Sequence, residues 1–281
     1  MYTPYLRRWL AVSRTRIFVA VVIPCFIGSS IASRYGYFSW TQFILMLFGL
    51  VMIESANLLT ADWVTYRGKS LVNGEIQPVI EGSPMISEEI LPLRYTIHIA
   101  ILCLALAALT LFYFALHLGF LIILLGALAV LIGGFYVLSP IRYGFFSTAL
   151  LPPIIAFGSY YVLTGVSSWE PVIASLPMIF LSSGVIFTYR VLYRDSDSDR
   201  FKANRLMLIG LYSASFIMLI LIVLGKLVPI SMILSLTTLL ILFSIIKHLT
   251  FNNSDYMPAT SLGVLLYTVT GSLIALSYFL I

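Results

Sequence analysis

From residue 15 to the C-terminus, apolar runs recur with short interruptions. Each is about the 20 residues that a helix needs to cross the hydrocarbon core of a bilayer. A soluble domain has no interior large enough to bury so many unbroken apolar segments. Composition agrees: 60% of the 281 residues are hydrophobic and 10% are charged, against roughly 25% charged in an ordinary soluble domain. Hydropathy places spans near 15–33, 41–61, 95–116, 118–137, 145–163, 171–191, 206–225, 229–247 and 259–280. The expectation is an all-α integral membrane protein, a bundle of nine transmembrane helices forming one domain over residues 1–281.

Arg7, Arg8, Arg14 and Arg16 precede the first run as the n-region of a signal peptide would. The run is too long for an h-region, and no small-residue cleavage site closes it, so it reads as the first span. Cys25 and Cys103 fall inside apolar runs, where a thiol packs as a small hydrophobe and gives no sign of a disulfide or zinc site. The net charge of +5 does not point to nucleic acid, because the cations are scattered and form no continuous patch.

Topology explains the cations better. With the N-terminus in the cytoplasm, fourteen of the sixteen Lys and Arg residues fall on the cytoplasmic side, and Arg34 and Lys226 fall outside. That is the asymmetry of the positive-inside rule. The reading is therefore a multi-pass protein of the cell membrane with a cytoplasmic N-terminus. The acidic residues are concentrated too. The connection from about Asp62 to Arg94 holds Asp62, Glu75, Glu81, Glu88 and Glu89, and the one from Arg190 to Arg205 holds Asp195, Asp197 and Asp199. Both lie on the cytoplasmic side of this topology.

The second connection alternates carboxylates with cations. On a helix, Asp195 and Asp199 are four apart and share a face, while Asp197 points away. Such a pair suits Mg²⁺, which takes one or two protein carboxylates and fills its other positions with water and phosphate oxygens. Arg194, Arg200 and Lys202 flank the pair and suit the phosphates themselves. A solvated charged loop explains the same segment equally well. The end of the second apolar run adds weight to the functional reading, because Glu54, Asn57 and Asp62 occupy its last turns. An ionisable group at that depth is expensive and normally faces a bundle interior or polar cavity. Glu54, Asn57, Ala61 and Thr65 share a face at helical spacing, with Asp62 beside it. The competing reading makes Glu54 and Asn57 interhelical hydrogen-bonding glue. His98, His117 and His248 lie near helix ends with no partner motif and read as structural.

In order and spacing, these residues resemble the UbiA superfamily of intramembrane prenyltransferases, closest to the branch that prenylates 1,4-dihydroxy-2-naphthoate for menaquinone. The resemblance covers nearly the whole chain. It runs through Ser13 to Arg16, Asn57 to Lys69, Val79 to Ser87, Tyr136 to Tyr143, Gly158 to Gly165 and Asp195 to Arg205. It departs from the family in places. The family's first motif has carboxylates four and eight residues after its Asn, where this chain has Ala61 and Thr65, with Asp62 one place late. The asparagines upstream of the second motif are replaced by Val191, Leu192 and Tyr193.

The resemblance implies a Mg²⁺-dependent transfer of a polyprenyl group from an isoprenoid diphosphate donor to an aromatic or other small acceptor, as in quinone or prenyl-lipid biosynthesis, within membrane lipid and without nucleic acid. Carried onto this chain, the metal ligands are Asn57, Asp62, Asp195 and Asp199, with Asp62, Asp195 and Asp199 catalytic. Asn57, Arg67, Lys69, Arg142, Arg194 and Lys202 bind substrate. Tyr136, Tyr160, Tyr161 and Tyr189 offer ring faces to a carbocation, although most of the aromatics here serve packing or interface anchoring. Two alternatives remain. One is a terpene cyclase of the same type, and the other is a catalytically inactive relative that binds lipid, which the altered first motif favours.

Overall fold

The computed structural model describes residues 15–69, 93–138, 141–191, 198–251 and 257–280. Among the described residues there are nine α-helices, one 3-10 segment and no strand. The helices are α1 (Thr15–Arg34), α2 (Trp40–Lys69), α3 (Leu93–Leu118), α4 (Phe120–Leu138) and α5 (Ile141–Thr164), then α6 (Glu170–Val191), α7 (Ser198–Leu224), α8 (Leu239–Phe251) and α9 (Met257–Ser277). The 3-10 segment, Ile230–Thr238, leads into α8. Five segments among the described residues are long and apolar enough to cross a membrane: Trp40–Thr60, Tyr95–Leu118, Glu170–Phe187, Arg205–Leu224 and Ile230–Lys247. The other four expected spans correspond to shorter apolar stretches, Phe18–Arg34, Phe120–Ile132, Ala149–Thr164 and Ser261–Ser277.

Two helices overrun their expected ends. α2 continues past residue 61 through the charged turns to Lys69, and α7 begins at Ser198 rather than near 206. Hydropathy falls where charge appears, but a helix satisfies its own backbone donors and acceptors in either environment and does not stop there. The eighth span departs differently, because its first half is a nine-residue 3-10 run opened by Pro229. Runs longer than three or four residues are uncommon. Here the hydroxyls of Ser235, Thr237 and Thr238 each donate to the carbonyl three residues back, at 2.6–2.7 Å.

Successive helices from α2 to α7 pack antiparallel. Small residues make the crossings close: Gly49 of α2 lies against Thr110 of α3, Gly126 of α4 against Leu111 of α3, and Gly184 of α6 against Tyr212 of α7. The Ser215 hydroxyl of α7 donates to the Pro177 carbonyl of α6 at 2.9 Å. α1 runs through the middle, where Gly28 meets Ala156 and Ser159 of α5. It separates two cores. Ile23, Ile27 and Ile31 join the larger one with α6, α7 and α9, whereas Val21 and Cys25 join a smaller one with α2, α3, α4 and α5. The outer surface is apolar, with Leu240, Phe120 and Phe243 each at least 70% exposed. That is a lipid-facing surface, since soluble proteins do not present contiguous apolar areas of this extent.

Pro24 lies inside α1, so the carbonyl of Ala20 loses the donor it would find four residues on. The buried Tyr267 of α9 supplies a substitute, its hydroxyl donating to Ala20 O at 3.0 Å. Polar contacts also tie one end of the bundle. The Tyr35 hydroxyl donates to Glu170 Oε2 at 2.8 Å, Arg34 Nη1 lies 3.6 Å from Glu170 Oε1, and the Tyr161 hydroxyl donates to the Leu118 carbonyl at 2.8 Å. The hydrogen bond to the Glu170 carboxylate is the main reason the Tyr35 phenol is pushed above its ordinary pKa. Lys226, after α7, lies at this same end.

Candidate functional site

The antiparallel order brings the C-terminal ends of α2, α4 and α6 and the N-terminal ends of α3, α5 and α7 to the end of the bundle opposite Glu170. The helix ends that flank the two acidic sequences lie at this end. Near it on α2, Glu54 and Asn57 are one turn apart and only partly exposed. The neighbouring hydroxyls are committed to their own helix, Ser55 to the Val51 carbonyl and Thr60 to the Ala56 carbonyl, both at 2.7 Å. Glu54 and Asn57 therefore remain as a polar pair.

The helical extension to Lys69 sets the register of the other α2 candidates. Asp62, Arg67 and Lys69 all fall within α2. The side chains of Asp62, Arg67 and Lys69 lie outside the described ones. Arg142 lies in the first turn of α5, and Asp199 and Lys202 in the first two turns of α7, all at this end. Arg194 and Asp195 lie outside the described residues, as does most of the first acidic connection. No group of three or more His, Cys, Asp or Glu side chains converges among the described residues. Tyr160 and Tyr161 lie in the last turns of α5, near the Glu170 end and away from this site. His117 stacks edge-on against Tyr113, ring centroids 4.9 Å apart, in a packing role.

An apolar cavity of about 80 Å³ lies within the smaller core. Ile53, adjacent to Glu54, forms part of its wall, and it continues past Gly49, Thr110, Ala129 and Gly158 toward the Glu170 end. Hydropathy does not reveal this space, because four helices line it and each contributes residues that read as ordinary core. The available signal is the set of small residues, Gly49, Gly126 and Gly158, at the positions where walls are needed without bulk. The arrangement suits an amphipathic ligand, with a polar head at the Glu54 and Asn57 end and an apolar tail below.

Comparison with protein families finds no match, and comparison with curated proteins finds none either. Among solved structures, the apo form of a UbiA homolog from Aeropyrum pernix K1 has the same fold. The TM-score is 0.67, with 15% sequence identity, over 92% of this chain and 97% of that one. The likeness therefore extends across the whole bundle rather than a fragment of it.

Proposed function

We propose that this chain is a Mg²⁺-dependent intramembrane prenyltransferase of the UbiA type, with nine transmembrane helices, a cytoplasmic N-terminus and its site at the cytoplasmic side. Its substrates are a polyprenyl diphosphate and a small aromatic acceptor, as in the menaquinone branch. The observation that supports this reading is a fold shared over 92% of the chain with a UbiA homolog, in which the polar Glu54 and Asn57 follow on α2 directly after Ile53, a wall residue of an apolar cavity. The fourteen-to-two division of cations supports the orientation.

The donors fit the metal: Asn57 and Asp62 on α2 with Asp195 and Asp199 before and within α7 offer only hard oxygens, and Glu54 is a further carboxylate one turn from Asn57. Bound there, Mg²⁺ would neutralise charge developing on a departing diphosphate. Arg67, Lys69, Arg194 and Lys202 would hold the diphosphate oxygens, with Arg142 a weaker partner. The apolar walls exclude water, so the allylic cation left when the C–O bond breaks meets the acceptor rather than hydroxide. The acceptor's nucleophilic carbon forms the new bond and its proton leaves to solvent.

The test is release of inorganic diphosphate from geranylgeranyl diphosphate by purified protein. It is run with and without Mg²⁺ and an aromatic diol acceptor, beside an Asp195→Ala, Asp199→Ala double variant. Mg²⁺-dependent release that the variant loses is the expected result, and mass spectrometry then distinguishes a prenylated acceptor from a cyclised donor. Ala61 and Thr65, where the family has carboxylates, favour a second reading as an inactive lipid binder. Tight donor binding without release under every condition would select it.

A further inference from the structure

At the end of the bundle opposite the candidate site, three helices bring polar groups together. Arg34 ends α1 and Tyr35 follows it, Glu170 opens α6, and Tyr278 follows α9. Tyr35 donates to Glu170 Oε2, but Arg34 Nη1 stands 3.6 Å from Oε1, too far to donate a hydrogen bond. The guanidinium lies over the Tyr35 ring, 5.9 Å from its centroid, and makes no hydrogen bond among the described residues. Tyr278 is 1% exposed, and its hydroxyl has no hydrogen-bond partner among the described residues, although the charges of Glu170 and Arg34 both reach it. A groove of about 320 Å³ begins at the same place: Ser168 and Trp169, just before Glu170, line it together with Pro153, Phe157 and Val172. We propose that this end holds one zwitterionic phospholipid, its phosphate on Arg34 and Tyr278, its ammonium on Glu170 and an acyl chain along the groove.

The chemistry of the groups selects the occupant. A buried hydroxyl nearly always has a partner, and an ion pair that merely ties α1 to α6 gives the Tyr278 phenol none. Such a pair, partly exposed on both sides, also contributes little by itself. A guanidinium presents a planar fork of donors that matches phosphate oxygens. The Glu170 carboxylate accepts one hydrogen bond from Tyr35 and keeps lone pairs for an ammonium. One cation beside one carboxylate therefore fits a headgroup that carries both charges, whereas an anionic headgroup would leave Glu170 unmatched. The depth is right, because Tyr37, Trp40 and Trp169 are exposed at this end, as aromatic side chains are at a membrane interface. The lipid belongs to the leaflet away from the candidate site, and the inference takes nothing from the prenyl-donor reading.

The test reads quenching of Trp169 by lipids with dibrominated chains, in full-length protein reconstituted into phosphatidylglycerol vesicles. Trp9→Phe, Trp40→Phe and Trp63→Phe leave Trp169 as the only indole. Brominated phosphatidylethanolamine is compared with brominated phosphatidylglycerol, which lacks the ammonium, and with brominated diacylglycerol, which lacks the phosphate. The ethanolamine lipid should be favoured over the glycerol lipid about fivefold, the upper end for one exposed ion pair. Glu170→Gln should abolish that preference while keeping an amide oxygen for Tyr35. Arg34→Gln and Tyr278→Phe should each bring the ethanolamine lipid down toward diacylglycerol. Tyr278→Phe removes a hydroxyl that bonds nothing in the protein, so the fold's own hydrogen bonds stay intact and the variant remains testable. Equal quenching by the ethanolamine and glycerol lipids, a preference that survives Glu170→Gln, or quenching indifferent to Tyr278→Phe overturns the site.

Discussion

Removing one hydroxyl at Tyr267 should cost more than an interhelical hydrogen bond normally contributes in a membrane, because its acceptor has no other donor. Such bonds average about 0.6 kcal/mol and reach about 1.7. The acceptor here is the Ala20 carbonyl, whose intrahelical partner Pro24 cannot supply, and Tyr267 is 3% exposed. Tyr267→Phe keeps the ring and leaves a buried carbonyl unpaired, a cost of about 1–3 kcal/mol. The same substitution in a Pro24→Ala background should cost no more than about 0.6 kcal/mol, since residue 24 then donates to Ala20 itself. The expected coupling is about 1 kcal/mol. Unfolding of the four proteins by SDS titration in mixed micelles, followed by circular dichroism, measures it. An equal cost of Tyr267→Phe in both backgrounds would refute the compensation and reduce Tyr267 to a packing residue.

Lys226 has φ 54° and follows α7 in a turn where Lys226 N–H bonds the Val223 carbonyl and Leu227 N–H bonds the Ile222 carbonyl. Gly36 occupies the matching position after α1, so Lys226→Gly should raise stability by about 1 kcal/mol in the same titration. Gly28→Ala should lower it by about 1–3 kcal/mol, toward the upper end, because the new Cβ meets the backbone carbonyl of Ala156 rather than a side chain that can rotate. The raised pKa of Tyr35 implies stability that is fully present below the ordinary phenol pKa of about 10 and lost as pH rises through the higher folded value. Tyr35→Phe should flatten the unfolding midpoint above pH ~10, and an unchanged slope would show that the Glu170 contact does not control it.

The sequence by itself determined that this chain is helical and built for a membrane. Apolar length and charge asymmetry are properties of each segment, and neither depends on the neighbours a helix acquires. It also singled out Glu54 and Asn57, because a carboxylate within an apolar run has few inexpensive locations. Helix ends were less legible: α2 runs to Lys69 and α7 starts at Ser198, since backbone hydrogen bonds close as readily in charged sequence as in apolar sequence. Only the tertiary structure decided that α1 divides two cores, that Tyr267 reaches Ala20 from the other end of the chain, and that Arg34 and Tyr35 meet Glu170. In a membrane every face of such helices is apolar, so periodicity carries little information about which face meets which helix. Close approach at small residues such as Gly28 and Gly49 selects the partners, and that selection exists only once both helices are present.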